Sequence, residues 1–352
     1  MSRTRRFLVL AEGNFAPLTS KTANACIRYA ASDVVAVIDS TRAGSTAQDA
    51  LGFGGDIPVV GTFAEGMRHQ PNALLIGIAP PGGQFPAEWR TIVCDALRAS
   101  LDVWSGLHTM LGDDTEFASL AASSGASIRD LRRPPDNLGV STGRVRELAA
   151  TVILTVGTDC NIGKMTVQLQ VQNAVRALGH RVSFAATGQT GILIEGSGIA
   201  VDAVVADFIG GAAERLTMEA AVDADIVLVE GQGSLIHPSY SGVTLGLLHG
   251  SLPHAMVLCA QPTRTAINRN PWVKIPSLPD MARIYENAAS YLRPAPVIAI
   301  ALNTFDLTED EAQAAVARIT DETGLPTTDP VRFNPAPIAE AISRFHTARL
   351  RV

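Results

Sequence analysis

The segment that most constrains this chain is Gly157-Thr158-Asp159-Cys160-Asn161-Ile162-Gly163-Lys164-Met165-Thr166. Before it, residues 151–156 form a β-branched apolar run fit for a buried central strand; after it, Val167, Val171, Ala174, Val175 and Leu178 repeat at helical spacing until Gly179 stops them. Residues 181–186 are the next apolar run. Strand, glycine loop, helix and strand make a right-handed βαβ unit, which demands a parallel sheet. A loop in that position can turn its backbone N–H groups toward one point, where the helix dipole and Lys164 add positive potential. Phosphate is the ligand such a loop suits. A plain turn would explain the glycines, but not a lysine at a helix start, where a cation opposes the dipole.

The rest of the chain reads the same way. Residues 7–10, 34–38, 59–60 and 73–78 are short apolar runs separated by stretches of helical length, so the first half is also expected to be α/β with a parallel sheet. The last of these runs enters Ala79-Pro80-Pro81-Gly82-Gly83, a loop where open α/β sheets place ligands. Residues 86–101 carry apolar positions at helical spacing, residues 105–114 read as a turn-rich edge, and strands are expected at 226–229, 255–259 and 297–302. Thr308 and Glu311 form a capping box. At ~150 residues per domain, 352 residues predict two domains. The polar, proline-rich stretch around 129–147 places them at 1–146 and 147–352.

Composition narrows the function classes. A net charge of -6 provides no basic field, which argues against sequence-independent nucleic-acid binding. Four cysteines without a CxxC pair argue against a disulfide framework and a structural zinc site, and a reducing cytoplasm fits them best. No apolar run approaches the ~20 residues of a membrane span, and the one at 7–11 meets Glu12 far short of a signal-peptide core. The expected partner is a small molecule, with a homo-oligomer left open.

Several residues join the loop as candidates. Glu230 ends an apolar strand and is placed to act as a general base or to orient a metal-bound water; with Thr166 it is the metal-ligand pair if ATP and Mg²⁺ are used. Hydrolysis is doubtful, because the residue after the lysine is Met165, and Thr166, one place on, points about 100 degrees away. Asp207, ahead of Gly210-Gly211, is a second candidate carboxylate, with turn capping as its alternative. His237 is a candidate proton carrier or a merely exposed loop histidine. Gln189, Gln232, Ser234 and Tyr240 are candidate substrate contacts, Arg264 a cation for substrate carboxylates, and Asn303 a reader of a purine base or a turn residue. The glycines of Thr187-Gly188-Gln189-Thr190-Gly191 allow close approach to a ligand. Cys160 is read as a small residue that fits the loop, with a thioester-forming nucleophile as the alternative.

Gly-Thr-Asp leading to Gly-Lys resembles the P-loop of dethiobiotin synthetase. Gly157–Thr166 taken with residues 186–191, 204–211, 230–234 and 237–246, and with residues 78–83 and 105–114 of the first half, resembles a two-domain bacterial family over nearly the whole chain. That resemblance implies a Rossmann-like N-terminal domain and a P-loop C-terminal domain. Members include D-glutamate N-acetyltransferases, so it implies acetyl transfer from acetyl-CoA to the amine of a D-amino acid, through a P-loop turned away from hydrolysis. An ATP-dependent kinase or ligase on a small carboxylic or amino acid is the alternative, and a nucleotide-binding sensor a third.

Overall fold

A computed structural model describes residues 4–17, 19–78 and 85–351. The chain folds as two compact units: one is the chain up to Arg133 with Ile192–Ala203, the other Pro134–Gly191 with the chain from Val204. Residues 134–146 therefore belong to the second unit, and the division comes earlier than the one expected after residue 146.

The first unit runs β1 (Phe7–Leu10), α1 (Lys21–Tyr29), β2 (Val34–Ile38), α2 (Ala47–Leu51), β3 (Val59–Val60), α3 (Phe63–Met67), β4 (Ala73–Ile76), α4 (Arg90–Arg98), β5 (Asp102–Ser105), α5 (Thr115–Ser124) and β6 (Ile128–Asp130). All strand pairs are parallel, in the order β3-β2-β1-β4-β5-β6. This is the strand order of a Rossmann-like sheet. β1 and β4 are buried throughout, which their unbroken apolar sequences require. The helix expected over 86–101 is α4 preceded by a short 3₁₀ turn. At the end of β2, the fully buried Asp39 accepts from the amides of Phe15 and Thr41, tying the loops after β1 and β2 together. The loop Ala79–Gly83 lies outside the described residues.

The second unit carries β7 (Thr151–Gly157), α6 (Lys164–Ala177), β8 (Val182–Ala185), the start of α7 (Gln189–Glu195), α8 (Ile209–Ala220), β9 (Ile226–Val229), α9 (Ser241–Ser251), β10 (Ala255–Ala260), β11 (Ala266–Ile267), β12 (Asn270–Lys274), α10 (Leu278–Ser290), β13 (Val297–Leu302), α11 (Glu309–Thr323), β14 (Thr327–Thr328) and α12 (Ala336–Arg349). Six strands form a wholly parallel sheet in the order β14-β13-β10-β7-β9-β8; β11 and β12 make a separate antiparallel hairpin. β7, β9 and β10 are buried along their whole length. Their carboxyl ends therefore open side by side, and the candidate residues gather there. The capping box at Thr308 and Glu311 opens α11 as expected.

Two packing devices were not visible in the sequence. The buried Glu214 on α8 accepts from the amides of Thr142, Gly143 and Arg144 and from the hydroxyls of Ser141 and Thr142. Burial alone would push its carboxyl up, but the bonds from Thr142, Ser141 and Arg144 outweigh it and hold the group below the usual carboxylate range. This clasp is why the chain before β7 belongs to the second unit. The second device is close packing: a Cβ on Gly211 would lie 1.8 Å from the Gly139 carbonyl oxygen, and one on Gly250 would lie 2.2 Å from that of Gly210. The glycines after Asp207 thus serve contact between backbones.

His254, just ahead of β10, accepts from the Val152 amide at 3.0 Å, and the Arg293 guanidinium lies 3.1 Å from its other ring nitrogen. Burial, then the charges of Arg293 and Arg349, depress its pKa to about 3. The unfolded chain binds this proton from its ordinary pKa downward, while the folded chain refuses it until about pH 3. Stability should accordingly fall as pH drops through that window, by up to about 1 kcal/mol per pH unit from this residue, and level off below it. Urea midpoints of the wild type and His254→Gln between pH 7 and 4 measure this; equal pH slopes would contradict it.

Candidate functional site

β7 delivers the chain into the loop, and α6 takes it away at Lys164. The turn requires positive φ at Asn161 (56°) and Gly163 (101°). Two loop amides are satisfied internally, Thr158 by the Cys259 carbonyl and Cys160 by the Asp159 carboxylate. Those of Asn161, Ile162, Gly163 and Lys164 have no acceptor among the described residues, and no side chain caps α6. Four successive N–H groups at a helix start form an anion-binding concavity.

Lys164 is buried, and its Nζ donates to the Asp159 carbonyl at 2.7 Å. Burial pushes the ammonium pKa down, against the attraction of Cys160, Cys259, Asp159 and Glu230. Its stem lies between Gly157 and Gly231: a Cβ on Gly157 would be 3.2 Å from Nζ, and one on Gly231 would be 3.1 Å from Cδ and 1.8 Å from the Thr155 carbonyl oxygen. Side chains at these positions would crowd the lysine stem, and one at Gly231 would run into the Thr155 backbone first. Tyr285, buried on α10, locks the strand end by donating to the Gly157 carbonyl at 2.7 Å and accepting from the Leu235 amide at 3.2 Å. Nothing in the sequence around Tyr285 marks it; it reads as an ordinary apolar position of an amphipathic helix.

Asp159 is the hub of the loop. Fully buried, it accepts from Arg264 at 2.9 Å, from the Asn268 amide at 2.8 Å and from the Cys160 amide. Arg264 also donates to the Cys160 carbonyl at 2.9 Å. This guanidinium was expected to await substrate carboxylates; one of its nitrogens is committed to the loop instead, because a buried aspartate needs a counter-charge. Its Nε and Nη2 make no hydrogen bond among the described residues.

His237 is buried, and its Nδ1 accepts from the Ser239 amide at 3.1 Å. That bond assigns the ring proton to Nε2, which lies 3.9 Å from the Asp159 carboxylate. Burial, with Lys164 adding to it and Asp159 opposing, pushes the imidazole below its ordinary pKa. The ring is thus a neutral donor, not an exposed histidine. A carboxylate oxygen of Asp159, Sγ of Cys160 and a ring nitrogen of His237 lie within 4.8 Å of one another. They are a poor metal site, since the imidazole presents N–H there and Arg264 already balances Asp159.

Glu230 is buried at the end of β9, its Oε2 accepting from the amides of Thr187 (2.9 Å) and Gly188 (3.1 Å). A Cβ on Gly191 would lie 2.6 Å from that oxygen, and one on Gly188 would lie 2.6 Å from Gln232 Nε2. The close approach expected of a ligand at these glycines is made by Glu230 and Gln232. Gln232 Nε2 also donates to the Thr187 hydroxyl, while Gln189 is half-buried at the first position of α7. One oxygen of Glu230 is thus engaged by amides, and the residue after Lys164 is Met165, whose thioether stands where a hydrolytic P-loop has a hydroxyl.

The remaining candidates divide. Asn303, after β13, faces the loop: its Nδ2 is 3.9 Å from a Cβ built on Gly163. Ser234 is fully buried and Tyr240 half exposed, with its ring 4.6 Å from that of His237. Asp207 stands apart, exposed in the 3₁₀ turn Ala206–Phe208, with no hydrogen bond to the loop among the described residues. The buried Asp159–Arg264 pair should dominate local stability. Asp159→Ala and Arg264→Ala are each expected to cost about 3–5 kcal/mol in urea unfolding, and the double variant clearly less than their sum; additive costs would mean the pair is not coupled.

Residues 139–339 match the family model described as the P-loop domain of DUF1611, a domain of unknown function, and residues 40–134 match its Rossmann-like N-terminal domain. A protein of Tritonibacter scottomollicae named D-glutamate N-acetyltransferase is 38% identical over 80% of this chain and 84% of its own length. Another of that name from a Pseudoalteromonas species is 36% identical over 77% of this chain and 81% of its own. The crystal structure of a DUF1611 family protein from Anabaena variabilis superposes with a TM-score of 0.92 at 40% identity, covering 97% of this chain and 99% of that one. By sequence and by fold, the chain belongs to the DUF1611 family.

Proposed function

We propose that this protein is an N-acetyltransferase that moves an acetyl group from acetyl-CoA to the amine of D-glutamate or a similar amino acid. The observation that carries the reading is the row of four unengaged amides from Asn161 to Lys164, with a buried lysine beside them and no hydroxyl after it. Such a cradle suits a diphosphate retained without a metal, as in coenzyme A. The relatives named D-glutamate N-acetyltransferase support the acceptor.

Acetyl-CoA supplies an acyl group already activated as a thioester. In this reading the chain's residues hold the diphosphate on the amides of Asn161–Lys164 and the adenosine end beside Asn303. The Glu230 carboxylate, oriented by Thr187 and Gly188, takes one proton from the substrate ammonium; the amine forms the N–C bond as the C–S bond breaks, and the departing CoA thiolate takes up the second proton the nitrogen loses. His237 Nε2–H serves as a donor to the developing oxyanion, because its Nδ1 lone pair is occupied. The two uncommitted nitrogens of Arg264 receive a substrate carboxylate.

Purified protein should consume acetyl-CoA with D-glutamate and release free CoA and the N-acetyl product in the presence of a metal chelator. Lys164→Ala is expected to weaken CoA binding about ten- to a hundredfold, the ~1.5–3 kcal/mol of a charged hydrogen bond. Glu230→Gln should lower kcat while leaving CoA affinity nearly unchanged. Metal-dependent release of ADP or AMP, with no acetyl transfer, would replace this reading with a ligase or kinase; nucleotide-induced thermal stabilisation without turnover would favour a sensor.

A further inference from the structure

From residue 231 to residue 279 the chain has no Asp or Glu, and its Lys and Arg residues there are Arg264, Arg269 and Lys274. All three lie in or just ahead of the hairpin of β11 and β12, in a protein whose net charge is -6. The hairpin pairs only with itself, and two strands alone are marginally stable. It is fastened to the loop before α6 through the Arg264 guanidinium and the Asn268 amide, both on Asp159. Arg269, beside Asn268, stands at φ 66°, in the left-handed region that favours glycine. Its guanidinium is exposed, with no hydrogen bond or ion pair among the described residues, and the same holds for the Lys274 ammonium. Trp272, on β12, is 73% exposed, whereas Trp89 and Trp104 are buried. A strained arginine, an unpaired ammonium and a bare indole on one small hairpin mark a surface that receives a ligand.

The root of the hairpin is short of a donor. Gln261, where β10 leads into it, is 8% exposed; its Nε2 donates to Asp306, and its buried Oε1 has no partner among the described residues. A buried amide oxygen left unmet marks a place for an N–H group, which the 6-amino group of adenine supplies. The Asn303 amide bonds to the Ala260 carbonyl at 2.8 Å, so this place adjoins the residue assigned above to the adenosine end. Asp306 would oppose an anion, but its carboxylate already accepts from Gln261 and Thr263.

We propose that this hairpin selects the carrier: Arg269 and Lys274 receive a third phosphate, outside the pair held by the loop, and Trp272 covers the purine ring. The ligand class is a nucleotide with a phosphate on its ribose, which coenzyme A has at the 3′ position and ATP lacks. A guanidinium with its fork uncommitted suits a phosphate, and an exposed indole suits the face of a base. The proposal rests on the coenzyme A reading above and goes past it by naming the residues that tell CoA from ADP or ATP.

Full-length protein is titrated with CoA and with dephospho-CoA, affinities being taken by calorimetry and the ring contact from tryptophan emission. CoA should bind at least about tenfold more tightly than dephospho-CoA. Both should quench the emission of Trp272, and Trp272→Phe should lose the quench. The double variant Arg269→Gly with Lys274→Gln should bring the two affinities together, mainly by weakening CoA, while Arg269→Lys keeps part of the preference. Glycine at φ 66° removes the cation and relieves the backbone, so a urea midpoint of Arg269→Gly at or above that of the wild type marks it as folded. Equal affinity of the wild type for the two ligands overturns the phosphate contact, and a preference that survives the double variant places that contact elsewhere. Unchanged emission at saturating CoA overturns the role of Trp272. If neither ligand binds the wild type, the coenzyme A reading itself falls, and the role of the hairpin with it.

Discussion

The loop between β7 and α6 depends on a neutralised charge. Asp159 sits fully buried in the segment that would receive an anion, and uncompensated it would repel any phosphate and destabilise the fold. Arg264 and the Asn268 amide remove that difficulty, the first from the chain leading into the β11–β12 hairpin and the second from the turn of that hairpin. This explains why a chain segment after β10, remote in sequence, is fastened to the loop: its role at Asp159 is electrostatic before it is architectural. It also explains why only part of Arg264 remains available to a substrate.

The second constraint is steric. Lys164 passes its stem beside Gly157 and Gly231, where side chains would crowd it and where a Cβ on Gly231 would lie 1.8 Å from the Thr155 carbonyl oxygen. Tyr285 and Thr155 then hold those backbones in register, the tyrosine through the Gly157 carbonyl and the threonine through the Gly231 amide. Loop, lysine and the ends of β7 and β9 form one packed unit, so a change at any of them acts on the others.

Much of this was legible in the sequence, and the parts that were not share a physical reason. β7, the loop and α6 are local features: a β-branched run, glycines, then helical periodicity. β6 has no clear sequence signal because Ile128-Arg129-Asp130 has one apolar residue and sits at the sheet edge. β5 is equally faint, because only Val103 and Trp104 distinguish it from a turn. Glu214 and its clasp on residues 141–144 could not be read, since that pairing joins positions about seventy residues apart and neither has a motif of its own. At Gly188 and Gly191 the need for close approach was legible but the approaching group was not. The sequence signal is the missing Cβ, and Glu230 and Gln232 fill the space it leaves.

The same logic bears on what the site can do. A hydrolytic P-loop needs a hydroxyl after its lysine, a metal beside it and an acid free to orient water. Here Met165 follows the lysine, and Glu230 spends one oxygen on two amides of the neighbouring strand end. What remains is the binding half of the device: a row of main-chain donors, a buried ammonium and a fixed imidazole N–H. Those groups bind and polarise without generating a nucleophile from water. A site so built favours a reaction in which the nucleophile arrives on the substrate and the activated group arrives on a phosphate-bearing carrier, and transfer of an acyl group to an amine meets both conditions.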